Sequence, residues 1–107
     1  MKSRWLVLLI ALVLGLNAGC SRKAPAHRVT LTWEPPTATR GTSILGYNVY
    51  RSATSGKEYA RIASRVPFPW YDDTTVSAGR TYFYVVTTLD PAGNESKFSS
   101  EAQATIP

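Results

Sequence analysis

The chain has 107 residues, 44% of them hydrophobic, with twelve lysines and arginines against seven aspartates and glutamates, for a net charge of +5. That length holds one domain with a single core. One cysteine and one histidine exclude an intrachain disulfide and are too few for a Cys/His zinc site, and the dispersed basic residues form no stripe that would track a nucleic acid.

At the N-terminus, Lys2 and Arg4 lead into a charge-free apolar run of twelve residues, Trp5 to Leu16. A helix crossing a hydrocarbon core needs about 20, whereas the apolar core of a signal peptide needs about 7–15. Ala18 and Gly19 then precede Cys20. This layout resembles a bacterial lipoprotein signal, whose cysteine is acylated and becomes the first mature residue. Asn17 stands where that motif usually carries leucine. The resemblance implies a signal peptide over 1–19, lipidation at Cys20 and a short tether to residue 27. It places the protein at the cell envelope with the membrane as a partner. Ser21 after the cysteine favours the outer membrane, by likeness to the enterobacterial sorting rule. Ala24-Pro25-Ala26 offers an ordinary cleavage pattern as the alternative, giving a secreted or periplasmic protein. Loss of residues 1–19 leaves 88 residues and a charge of about +3. Each buried CH₂ of an acyl chain contributes about 0.8 kcal/mol to anchoring.

Beyond the tether the hydrophobic period is two. Val29, Leu31 and Trp33 alternate with Thr30, Thr32 and Glu34, which predicts a strand with one buried face. Pro35-Pro36 ends it, and a polar loop with Gly41 follows. Ile44 to Arg51 is a second strand, Tyr47 and Val49 facing one way and Asn48 and Tyr50 the other. Ser55-Gly56 marks a turn, then Glu58 to Ala63 forms a short strand. Pro67 and Pro69 break the pairing before an extended piece at Tyr71 to Asp73. From Arg80 to Leu89, Tyr82, Tyr84, Val86 and Thr88 share one face, and Phe83, Val85 and Thr87 the other. Asp90 to Asn94 is a hairpin loop, and Phe98 to Ile106 closes the chain as a last strand. Six or seven short strands with regular turns, and no helical period, imply an all-β two-sheet antiparallel sandwich.

Four stretches carry a family resemblance in order. They are Val29-x-Leu31-x-Trp33-x-x-Pro36, Ile44-x-Gly46-Tyr47-x-Val49-Tyr50-Arg51, Tyr71-x-Asp73-x-x-Val76-x-x-Gly79-x-x-Tyr82-x-Tyr84-x-Val86, and Asp90-x-x-Gly93-Asn94-Glu95-Ser96. Residues 28–106 thereby resemble a fibronectin type III domain, with an immunoglobulin-like sandwich. The resemblance puts Trp33 in the core and Tyr82 at a tyrosine corner, its hydroxyl bonded to nearby backbone. It implies a domain over 28–107, with the signal segment outside the fold and the family's first strand, strand A, short or absent. Trp33, Tyr47, Val49, Tyr71, Val76, Tyr82, Tyr84 and Val86 would fill the core.

No catalytic constellation is legible, so the chain reads as non-enzymatic, with no cofactor and no metal. His27 reads as an exposed residue at a strand start. Asp72-Asp73 reads as turn capping, since neighbours in a strand point apart. Asp90 and Glu95 read as turn ligands. Two surfaces are candidates for binding. The outward face around Tyr50, Phe83 and Val85 carries aromatics of the type that dominate interface hot spots and would take an envelope protein, by the favoured reading of a displayed protein-interaction module. Phe68 and Trp70, among prolines, would take a carbohydrate such as peptidoglycan, by the alternative reading. A structural spacer would use neither.

Overall fold

The computed structural model describes residues 9–15, 27–35 and 44–107. Cys20, the tether before His27 and most of the loop containing Gly41 lie outside the described residues. The strands are β1 (Leu9–Gly15), β2 (His27–Trp33), β3 (Gly46–Ser52), β4 (Ala60–Val66), β5 (Trp70–Asp73), β6 (Thr81–Leu89) and β7 (Ala102–Thr105). They build a three-stranded sheet in the order β1-β2-β5 and a four-stranded sheet in the order β4-β3-β6-β7, every ladder antiparallel. This is the two-sheet sandwich that the period of two implies.

The inner faces meet as the alternation requires. Val29, Leu31 and Trp33 of β2 pack with Tyr47 and Val49 of β3, Tyr82, Tyr84 and Val86 of β6, and Ala102, Ala104 and Ile106 at the C-terminal end. Tyr71 and Val76 pack against this core half-buried. Trp33 meets Tyr47 edge-on, ring centroids 5.2 Å apart. Tyr82 makes the expected corner, its hydroxyl oxygen accepting the Ser77 N–H at 3.0 Å. Tyr82→Phe leaves that amide without its acceptor and is expected to cost about 1–3 kcal/mol, read as a fall in the urea midpoint at unchanged slope.

Three boundaries differ from expectation for local reasons. The strand read over 58–63 runs instead over Ala60–Val66. It carries irregular register against β3 and a positive φ at Arg65, because the Asn48 side-chain oxygen holds the Arg65 N–H. There β4 comes so close that a Cβ on Gly46 would meet its backbone at 3.0 Å. The final strand shortens to Ala102–Thr105. Ahead of it, Ser96 and Ser99 supply side-chain acceptors to the Thr88 and Val86 amides, both at 2.9 Å, in place of a regular ladder.

The third difference lies beside β2. The position expected to be short or empty is filled by Leu9–Gly15, from the segment set outside the fold. It pairs along all of β2, from Leu9 opposite Trp33 to Gly15 opposite His27. An unpaired strand edge offers a row of N–H and C=O groups. A short aliphatic run does not distinguish strand from targeting segment by its period, so this run can satisfy them. His27 opens β2 half-buried rather than exposed.

Candidate functional site

β5 crosses β2 with Thr32 opposite Trp70, Leu31 opposite Tyr71 and Thr30 opposite Asp72. Residues directly opposite share a face. Leu31 and Tyr71 therefore turn inward together, and Trp70, Asp72, Thr30 and Thr32 turn outward. Phe68 lies in the bend before β5, and its ring stacks beside that of Trp70. Phe68 is 54% and Trp70 47% exposed, and their rings lie 11° from parallel with centroids 6.0 Å apart. Beside them the Thr30 hydroxyl donates to the Asp72 carboxylate at 2.7 Å, and the Arg28 guanidinium stands 3.9 Å from that carboxylate. An aromatic pair bordered by hydroxyls, a carboxylate and a guanidinium occupies one outer face. Sequence reading found the aromatics but not the polar border, which reaches them across the ladder.

The face around Tyr50, Phe83 and Val85 is more closed than expected. Val85 is 2% exposed, so it is no part of an open surface, and Phe83 is half-buried. Tyr50, paired with Val85 across the ladder, meets Phe98 edge-on at 5.1 Å, and Phe98 meets Tyr59 at 5.2 Å. Glu95 ties the loop after β6 down onto this sheet. Its carboxylate accepts the Tyr50 hydroxyl, the Asn48 amide at 2.9 Å and the Thr87 hydroxyl at 2.7 Å. Glu95 is thus a brace across two strands, not a turn ligand. Partial burial pushes its carboxyl up, but these donors outweigh that and hold it below the usual range. Glu101 does the same for Tyr59 and Ser55. The sequence reads Tyr59 as an apolar contact of a short strand and Phe98 as the start of the last one; their meeting at Tyr50 depends on segments distant along the chain.

Asp90 binds the Ala92 and Asn94 amides as a turn ligand. Asp73 does more than cap. Its carboxylate accepts the Thr75 amide and hydroxyl, the Tyr84 hydroxyl at 2.7 Å and Arg51 at 2.9 Å while 2% exposed. With every donor aimed at one carboxylate inside the sandwich, this is structural chemistry.

With this topology on the page, the likeness to known proteins is specific. A solved Fn3-like protein from Clostridium thermocellum is 31% identical, with 94% of this chain and 88% of that chain covered, at a TM-score of 0.65. The chain belongs to the fibronectin type III-like family. Amylopullulanase of Thermoanaerobacterium saccharolyticum is 36% identical over 77 residues, 72% of this chain and 6% of that enzyme. Exoglucanase B of Cellulomonas fimi is 39% identical over 77 residues, again 72% of this chain and 6% of the enzyme. This fibronectin type III-like chain therefore spans a small fraction of the length of those curated relatives. No family model matches it.

Proposed function

We propose that this fibronectin type III-like chain is a non-enzymatic accessory module, held at the cell envelope by acyl chains on Cys20, that engages polysaccharide through the outer face of β2 and β5. The observation that carries this reading is the half-exposed, near-parallel pair Phe68 and Trp70 with Thr30, Thr32, Asp72 and Arg28 alongside. A sugar ring has an apolar C–H face and a rim of hydroxyls. Flat exposed rings match the first, and a few placed polar groups fix orientation through the second. The matching segments of an amylopullulanase and an exoglucanase support an accessory role beside carbohydrate. Protein docking on the Tyr50 face is the weaker reading now, because Val85 is covered and the Tyr50 hydroxyl is already engaged.

The test is retention of the processed protein on insoluble starch, cellulose and peptidoglycan sacculi, with tryptophan emission followed during binding. At least one of these polymers is expected to retain it and to perturb Trp70 emission. Trp70→Ala should weaken that retention about tenfold or more, equivalent to about 1.4 kcal/mol, while leaving the fold intact because the ring is half-exposed. Retention on none of the three, or equal retention of the variant, overturns the reading.

A further inference from the structure

We propose that removal of residues 1–19 opens the β2 edge and that a second copy of this chain closes it, β2 against β2, in an antiparallel two-fold pair. The inference rests on reading residues 1–19 as a cleaved signal. β1 is then absent from the mature protein, and with it the whole ladder Leu9–Gly15 against β2.

The groups left behind can be named. The Trp33 N–H donates to the Pro69 carbonyl, on the β5 side. In an antiparallel sheet, successive residues present their N–H and C=O to opposite neighbours. Neither ladder of β2 has a register break. The N–H and C=O of Arg28, Thr30 and Thr32 therefore face β1, and these six groups lose their partners on cleavage. Natural edges are blunted by bulges, prolines or charges. Between His27 and Trp33 this edge has Arg28 alone. The stretch Cys20 to Ala26 has seven residues. Reversing direction takes at least about two, and Pro25 has no N–H to give, so it cannot pair along seven positions.

A second copy fits this edge because the strand is self-complementary. With Leu31 opposite Leu31 of the other copy, Thr30 falls opposite Thr32, Val29 opposite Trp33, and Arg28 opposite Glu34. The groups facing outward along the edge then meet groups that also face outward, so the ladder closes. The core side joins apolar to apolar, and the outer side joins threonine to threonine and a cation to a carboxylate. Such an interface is isologous and closed. Copies anchored in one membrane also meet at high effective concentration.

The experiment uses protein matured in its own membrane, extracted in detergent, with its N-terminus read by mass spectrometry. Sedimentation is measured over a concentration series, with hydrogen exchange at the Arg28, Thr30 and Thr32 amides. The expected result is a dimer whose three amides are protected and become fast on dilution to monomer. Glu34→Arg and Arg28→Glu should each weaken the dimer, and the double variant should restore it. A mature mass that still contains residues 1–19 overturns the signal reading and the proposal with it. A cleaved monomer at every concentration overturns the pairing alone. So does protection of these amides in the monomer, or a dimer indifferent to both charge reversals.

Discussion

Replacing Asp73 by alanine is expected to destabilise the sandwich by about 3 kcal/mol, the lower part of the range for removing one partner of a buried ion pair. The lower part applies because Arg51 retains a quarter of its side-chain exposure and can recover some water. The Tyr84 hydroxyl, on a fully buried residue, loses its acceptor as well. Burial alone would push the Asp73 carboxyl up, but the donors from Tyr84, Thr75 and Arg51 outweigh it and hold the group below the usual carboxylate range. The sign of the pH effect follows. A carboxyl whose folded pKa is depressed supplies stability above its unfolded value, about 3.9, and loses it as pH falls through the folded value. The gap in urea midpoint between wild type and Asp73→Ala should therefore be constant near neutrality and shrink below about pH 4. Asp73→Asn should cost less than alanine while flattening the same acid limb. A gap that persists unchanged into acid would show that packing, not charge, holds this site.

The core was legible before the fold was because it depends on local alternation. Val29, Leu31 and Trp33 must share a face whatever they pair with, and the same is true of Tyr82, Tyr84 and Val86. What the sequence hid are contacts between strands distant along the chain. Asp73 reads as a turn cap because neighbours in a strand point apart and it ends a short extended piece, yet its partners Arg51 and Tyr84 come from β3 and β6. Glu95 looked like a loop residue because its partners Asn48 and Tyr50 lie more than forty residues earlier. The candidate site shows both cases at once. Phe68 and Trp70 are two apart and were visible as a pair, while Thr30, Thr32 and Arg28 join them through the β2–β5 register. The burial of Val85 was missed for a related reason. Alternation alone places it outward, and the outer surface there is roofed by Tyr50 with Phe98 against it.

Trp33→Ala is expected to cause the largest loss of any single substitution considered, about 3–5 kcal/mol. Trp33 is 4% exposed, stands edge-on to Tyr47 and ends the strand on which both core and candidate site depend. The 88 residues that would remain after the proposed loss of residues 1–19 carry roughly 4–13 kcal/mol in total at about 0.05–0.15 kcal/mol per residue. One ring therefore accounts for a third or more of a mid-range value. Tyr47 meets the Trp33 ring across the sandwich, and the backbone of β1 pairs beside it, Leu9 opposite Trp33. If residues 1–19 are removed as proposed, Tyr47 carries more of the burial of this end, and part of the loss should reappear on Tyr47→Ala. Circular dichroism through a urea titration measures both variants. In protein from which residues 1–19, and Trp5 with them, have been removed, emission in a Trp70→Phe background isolates Trp33 in the wild-type core. A blue-shifted Trp33 that moves red only at the unfolding midpoint fits a sealed core. A red-shifted Trp33 in the native processed protein would mean that this end of β2 stays open to water once β1 is gone.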